Sequence, residues 1–600
     1  MLTAEKAFFL DELSLNTGEL PFSFSYGGNA SSSFLPTWTR EVRAETSGPG
    51  TARHTITYTD PVSGLQVRCM ATRFTAYPAV EWVLSFRNTG AADTPLLECI
   101  LPLDVRVTTS GENVMLYHAH GSTCAATDFL PLDEPIAPKR QMDIAPNGGR
   151  SSDGVLPFFN LGWDTGGLVG AIGWSGQWAL QLERDENAQV TLQAGQQTTH
   201  LILHPGEEIR TPRILLISWQ GADRLHGHNL LRKVILDHYT PRINGEIALP
   251  PVTENTWFVF NTGNDVTEEN QLAAMPSMAK AGVEGYWLDA GWFEGGWPAG
   301  AGSWVPKKAA FPRGLKPIGD AAHQLGMQFV LWFEPERVTT QSLVAKEHPE
   351  WVMHHLNEGE WGALYNLGNP DARKWLTDFL SQCITDWDID IYRNDFNVAP
   401  LPFWRAADAA DRQGMAEIRY IEGLYALWDE LRARHPKLTI DNCASGGRRI
   451  DLETTSRSYP LWQSDTQCHD KVLSVWDQGQ NAGLSLYVPL HAAGVWAFDP
   501  YTFRSVATTG CSVCVDITEA QMEAAQQMIA EAKALRPYYL GDYYPLLGIT
   551  THEQFWCAWQ YDRPDLGQGF VMCFRREGSP FPSAELQLHG LEAAANYRLT

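Results

Sequence analysis

Two carboxylates stand out by the company they keep. Asp395 closes the stretch Asp388-Ile-Asp-Ile-Tyr-Arg-Asn-Asp-Phe-Asn397, in which Ile389 and Ile391 alternate with Asp390 and Tyr392 as in a short strand, so that Arg393-Asn394-Asp395 falls where the strand ends. Asp465 ends the short apolar run Pro460-Leu-Trp-Gln-Ser-Asp. If the strands are parallel members of one barrel, both acids emerge at the same rim. Of one ionised carboxylate and one protonated carboxyl facing each other, the first can attack an acetal carbon while the second protonates the departing oxygen, the chemistry of glycoside cleavage.

Further acids and polar groups occupy other expected strand ends. Asp289 lies in Trp-Leu-Asp-Ala-Gly-Trp-Phe, Glu334 and Glu336 in Trp-Phe-Glu-Pro-Glu, and Asn442-Cys443 in Asp-Asn-Cys-Ala-Ser-Gly-Gly-Arg-Arg. Trp287, Trp292, Trp297, Trp332 and Trp462 interleave with them. Any one such acid is explained as well by capping the helix that follows. The accumulation of acids among tryptophan faces is what a sugar site needs, because indoles bind the C–H side of a pyranose.

The elements that must hold these groups follow from periodicity. Residues 1 to about 220 alternate in period two through Thr55–Thr59, Val80–Phe86, Trp178–Leu182 and His200–His204, with Gly, Pro, Asn and Asp between the runs and no convincing helix. This predicts an N-terminal β-sandwich over 1–222. A linking helix with Leu225, Leu230, Leu231 and Ile235 on one face, then a proline-marked extended link, covers 223–252. From 253 to 535, short apolar strands alternate with helical segments. The strands are expected at Asn255–Phe260, Gly285–Asp289, Gln328–Phe333, Ile389–Asn394, Leu438–Asn442, Pro460–Ser464, Leu484–Pro489 and Ser505–Cys511. The helices are expected at Glu268–Ala281, Gly314–Leu325, Asp371–Trp387 and Gln413–Arg434. Eight such units predict a catalytic (β/α)8 barrel, and no Gly-rich phosphate loop follows the first strand to favour an open nucleotide-binding sheet. Residues 536–600 carry strand-like runs at Gln554–Tyr561, Gly569–Arg575, Glu585–His589 and Asn596–Thr600, which predict an antiparallel C-terminal β domain with no closing segment after the last run. The fold class is therefore multidomain, α/β plus all-β.

Composition narrows the partners. A formal net charge of −25 supplies no basic field for nucleic acid or an anionic membrane, so a neutral ligand is expected. The first dozen residues lack a basic segment and an apolar run, which predicts no signal peptide and a cytoplasmic protein. No segment has the ~18 apolar residues needed to span a bilayer. Cys69, Cys99, Cys557 and Cys573 read as buried free thiols. Neither Cys511-Ser-Val-Cys514 nor the pair in Tyr117-His-Ala-His-Gly121, read as loop histidines, has companions spaced for a metal, so no metal or cofactor is expected.

Five stretches in order, Gly285–Phe293, Leu331–Glu336, Tyr392–Asn397, Asp441–Asp451 and Leu461–Asp465, resemble glycoside hydrolase family 36, the α-galactosidases and related α-N-acetylgalactosaminidases. The order of parts resembles that family too, over nearly the whole chain. The resemblance implies that Asp395 is the nucleophile, Asp465 the general acid/base and Asp289 a ligand of sugar hydroxyls. It implies further that Arg393 stands where the family has a substrate-binding lysine, that Cys443 and Gly446 lie beside the sugar 2-position, and that Trp332 lines the pocket; Trp292 and Trp462 are added as candidate sugar-binding faces. A retaining mechanism is implied, with the carboxyls about 5–5.5 Å apart rather than ~6.5–9.5 Å. The charge of Asp395 is expected to raise the pKa of Asp465.

Two departures bear on the substrate. Ala290 replaces the second aspartate of the usual pair and Arg393-Asn394 replaces Lys-Trp, which leaves open a modified galactose, with an amino or N-acetylamino group at C2 as one option, or a different hexose. The expected activity is an exo-acting retaining α-galactosidase on an oligosaccharide or glycoconjugate. The alternatives are an α-galactosaminidase or α-N-acetylgalactosaminidase, a raffinose-synthase-like transglycosylase, and a non-catalytic carbohydrate-binding protein. The resemblance also implies a dimer or tetramer.

Overall fold

The computed structural model describes residues 20–599 apart from 46, 47, 49, 261, 262, 357–361, 461 and 593. The first residues of the chain, Leu461 and Thr600, to which parts of the sequence reading apply, lie outside the described residues.

The N-terminal region is built from antiparallel sheets. A ten-stranded sheet runs from Pro131–Pro135 through Met115–Ala119, Phe158–Trp163, Gly166–Gly173, Arg213–Gln220, Ala79–Asn88, Leu65–Phe74 and Thr51–Thr59 to Thr39–Glu45, and Glu208–Arg210 pairs with Ala79–Asn88 beside that path. Its inward side chains share one core with a four-stranded sheet. The alternation read from sequence is the burial pattern itself: along Trp178–Arg184, Trp178, Leu180 and Leu182 point inward. One short helix, Ser31–Phe34, interrupts the β structure. His118 lies on the strand Met115–Ala119, not in a loop, with Glu134 beside it at 3.2 Å. The expected link forms a helix at Arg224–Val234, where the Asp223 side chain accepts the Leu225 N–H.

Among the described residues seven parallel strands follow: β1 Val252–Asn255, β2 Gly285–Leu288, β3 Gln328–Phe333, β4 Ile391–Asn394, β5 Thr439–Asn442, β6 Ala492–Val495 and β7 Gly510–Val513. They pair in the order β5-β4-β3-β2-β1-β7-β6. Between the two ends of that order runs the segment 459–464. Tyr459 bridges Asp441 of β5, and the Gln463 N–H donates to the Ala492 carbonyl of β6 at 3.1 Å. The described residues 460 and 462–464 are not in a regular strand, where the sequence reading expects one over Pro460–Ser464.

Three strand boundaries also depart from the sequence reading. The expected first strand turns early, because the Asn255 side chain accepts the Trp257 N–H and starts a helical turn at Thr256–Val259. Residues 484–489 belong to the end of the helix Ser474–Leu484 and the turn after it, and 500–505 are helical. The strand near each is instead β6 and β7, whose small residues carry little strand signature. The helices fare better. Glu268–Ala281 is opened by a Thr267–Asn270 capping box and closed by Gly282. Pro370–Trp387 is capped by Asn369 and closed by Asp388 at φ 56°, which delivers the chain into β4.

Near the C-terminus, Asp542–Pro545, Cys557–Arg563 and Gln568–Phe574 form one antiparallel sheet. The first has no counterpart in the sequence reading, while 585–589 and the described residues after 596 are not strands. Among the cysteines, Cys69 and Cys557 are buried but Cys99 and Cys573 are exposed, and all ten are unpaired. Among the described residues no helix is long and apolar enough to cross a membrane.

Candidate active site

Strand register determines which side chains meet. Trp332 of β3 lies opposite Arg393 of β4, and Arg393 lies opposite Asp441 of β5, so the three share one face of the sheet. The Arg393 guanidinium donates to Asp441 and sits 4.6 Å from the centre of the Trp287 ring. It is buried, and its charge is reinforced by Asp441 against the cost of leaving water.

Asp395 follows directly on β4 and collects donors. The Phe396 N–H reaches its Oδ1 at 2.7 Å and the Ser445 N–H the same oxygen at 3.3 Å. Asn397 Nδ2 donates to Oδ2 at 2.8 Å and Trp332 Nε1 at 3.2 Å. Burial alone would favour the neutral acid. The nearby Arg393 charge, with the Asn397, Cys443 and backbone donors, outweighs it and holds the carboxyl below the ordinary aspartate range. Asp395 is therefore ionised and oriented before any ligand arrives.

Asp465 experiences the opposite balance. It opens a 3-10 turn, Asp465–Gln467, and remains partly exposed. Burial, then the charge of Asp395, pushes its pKa up to about 6. The expected direction is present but the expected cause ranks second; loss of solvent comes first. Cys443, on the loop after β5, is buried, and burial with the charges of both acids pushes its thiol pKa up. Gly446 on the same loop has φ +79°, and a Cβ there would stand 2.9 Å from the Asp465 backbone nitrogen. The loop can pass under Asp465 only because that residue has no side chain.

Asp289, at the end of β2, accepts from Asn255 Nδ2 at 2.9 Å and is pushed up to about 6 by burial. The two remaining tryptophan candidates lie elsewhere. Trp292 is fully buried, donates to the Trp332 carbonyl at 2.9 Å and packs on Phe333 and Trp387, so it backs Trp332 rather than facing a ligand. Trp462 is enclosed by Phe258, stacked at 5.4 Å, by Trp287 and by Gly494, which leaves no free face for a sugar. Aromatic count in the sequence does not separate a wall from its backing.

Glu334 and Glu336 prove to be support. Glu334 accepts from Arg337 at 2.5 Å, Trp297 Nε1 at 2.9 Å and the Asn397 N–H at 2.9 Å. Glu336 takes Arg449 Nη1 on both oxygens at 2.8 and 2.9 Å and the Tyr420 hydroxyl at 2.7 Å. Sequence reasoning misses Asp128, Cys124 and Arg150, which come from the N-terminal sheets. Asp128 accepts from the hydroxyl of Ser464, the residue before Asp465, at 2.6 Å. Arg448 contacts Cys124 Sγ at 2.9 Å. Asn397, Asp441 and Ser445 are within reach of sequence reasoning, since all three fall inside motifs quoted for other residues.

Comparison with known proteins agrees with this geometry. Residues 211–496 match the Melibiase family. An α-galactosidase from Lactobacillus acidophilus, Mel36A, is 29% identical over 334 residues, covering 53% of this chain and 45% of that protein. Over that stretch the chain is similar to α-galactosidases of the Melibiase family. Its similarity to α-galactosidase AgaA of Geobacillus stearothermophilus is 26% identity over 459 residues, 71% of this chain and 60% of that one. The chain thus spans about half to three fifths of the length of these curated relatives. The crystal structure of a GH36 α-galactosidase AgaA in complex with stachyose superposes with a TM-score of 0.81 at 21% identity, over 96% of this chain and 84% of that one. The shared fold extends over the N-terminal sheets as well as the parallel one.

Proposed function

We propose that this protein is a retaining exo-α-glycosidase that releases terminal α-linked galactose-type residues from oligosaccharides or glycoconjugates. The observation that carries the reading is that one loop touches both acids, the Ser445 N–H donating to Asp395 at 3.3 Å and Gly446 lying against the backbone of Asp465, in surroundings that lower the pKa of the first acid and raise that of the second. Asp395, held as the carboxylate, attacks the anomeric carbon. Asp465, still protonated up to about pH 6, gives its proton to the departing oxygen. A glycosyl ester on Asp395 results. Asp465, now ionised, takes a proton from water, which attacks the same carbon and frees Asp395. Asp289 is offered to the sugar hydroxyls and the Trp332 edge to the ring, while Arg393 acts from behind through Asp395, because Asp441 already engages it.

The same reading takes the parallel strands and the segment 459–464 as eight units of a closed barrel, with domains at 1–222, 253–535 and 536–600 around the 223–252 link. It takes the assembly as a dimer or tetramer. A carbohydrate substrate is supported by the neighbouring AgaA structures, whose ligands are stachyose and raffinose.

The test is turnover on p-nitrophenyl α-galactoside, α-galactosaminide and α-N-acetylgalactosaminide, with proton NMR of the first anomer released. Preference for the α-galactoside and initial release of the α-anomer are expected. Preference for an amino sugar moves the assignment to the galactosaminidase reading. Sucrose outcompeting water as acceptor moves it to a transglycosylase. Release from no α-glycoside, or the β-anomer first, refutes it.

A further inference from the structure

Arg150 belongs to the turn 147–153 of the N-terminal sheets, yet it reaches the loops around the nucleophile. Its guanidinium is buried. Nη2 donates to Asp153 at 2.6 Å, and Nη1 donates to the Ser445 hydroxyl at 3.2 Å and to the Phe396 carbonyl at 3.4 Å. The Ser445 hydroxyl in turn donates to Asn397 Oδ1 at 2.8 Å, and Asn397 Nδ2 donates to Asp395 Oδ2 at 2.8 Å.

The direction of this chain follows from its first member. A guanidinium can only donate. Facing it, the Ser445 oxygen must accept, and its single proton is left for the next neighbour. That neighbour must then present its amide oxygen to Ser445 and its NH2 to Asp395. Without the guanidinium, Ser445 can turn its proton elsewhere and the Asn397 amide is no longer obliged to show its donor side to the carboxylate. Ser445 also gives its own N–H to Asp395 Oδ1 and has φ +51°, a backbone state that its neighbours must hold in place.

We propose that Arg150 is a positioning residue for Asp395, acting from the N-terminal sheets through Ser445 and Asn397 to set the polarity of the hydrogen bonds that orient the nucleophile. The proposal rests on the glycosidase reading for its kinetic consequence but not for its structural one.

The experiment compares wild type with Arg150→Met, Ser445→Ala and their double variant. Arg150→Met/Asp153→Asn serves as the form that leaves no buried unpaired carboxylate. kcat should fall by about 10- to 100-fold with KM within about threefold, because the loss is one of orientation. The Arg150→Met/Ser445→Ala double should lose no more than the worse single. Arg150→Lys, which keeps the donor-only charge, should recover part of the rate. In parallel, the Asp395 carboxyl is titrated by carbon-13 NMR, assigned by its disappearance in Asp395→Asn, and its pKa should rise in Arg150→Met and in Ser445→Ala. Unchanged kcat in folded Arg150→Met/Asp153→Asn, additive losses in the double variant, or an unmoved Asp395 titration each overturn the proposal. Wild type without turnover on any α-glycoside refutes the glycosidase reading alone, and the titration, which needs no substrate, then decides the role of Arg150.

Discussion

The substitution Asp465→Asn should make the protein more stable, and more so at alkaline pH. Folding moves the Asp465 carboxyl from an ordinary 3.8 to about 6. The folded chain therefore binds this proton more tightly than the unfolded chain, and stability is lost as pH rises from the lower value through the higher one. At pH 8 the penalty is the whole displacement, about 3 kcal/mol at 1.36 kcal/mol per pKa unit. At pH 4.5 the unfolded chain is only partly deprotonated at this site and the penalty is about 1 kcal/mol. The amide resembles the protonated acid and carries no such penalty. The variant should thus gain about 2 kcal/mol more at pH 8 than at pH 4.5, several degrees in melting temperature for domains of this size. Comparing variant with wild type at each pH cancels every other titrating group to first order. Melting curves in two buffers suffice. An advantage of the Asp465→Asn variant that is the same at both pH values would show that Asp465 is not held neutral by its surroundings, and the acid role would lose its physical basis.

Other perturbations reach different residues. Asp465→Ala should depress turnover of an oligosaccharide far more than that of p-nitrophenyl α-galactoside, whose leaving group needs little protonation; equal losses on both tell against Asp465 as the acid. For wild type, kcat/KM should decline above about pH 6 as Asp465 ionises, and a plateau to pH 8 contradicts the assignment. Gly446→Ala combines a φ of +79° with a Cβ 2.9 Å from backbone of the Asp465 turn, so kcat should fall with little change in far-UV circular dichroism; a fully active variant would show that the loop moves freely. Glu336→Gln leaves Arg449 buried without its counter-charge and should cost about 3–5 kcal/mol, read as a lowered melting temperature.

What the chain declares in advance follows the range of the interactions involved. Helices are local: Thr267 and Asn369 cap them within three residues, and both helices are legible nearly to their ends. The strand-end acids are legible for the same reason, because β4 is short, opens on Ile391-Tyr392 and is immediately followed by Asp395. Ala492–Val495 escapes sequence reasoning because three of its four residues are small, and nothing local distinguishes such a strand from a turn. Trp292 and Trp462 join the pocket on residue type alone, when their neighbours Phe333, Trp387 and Phe258 occupy their surfaces. The contacts of Arg150 and Asp128 with residues near Asp395 and Asp465 span 246 to 336 positions, and no periodicity encodes pairings of that range.

The strand pairing of Arg412–Gln413 with His200–Leu201 has a practical corollary. A protein cut at the link near residue 253 would tear one ribbon from a five-stranded sheet and leave the hydroxyl of Ser464 facing solvent where Asp128 had stood. The region carrying the two acids is therefore not a module to be transplanted alone; anyone grafting this pair of carboxylates onto another scaffold must carry the preceding sheets with it.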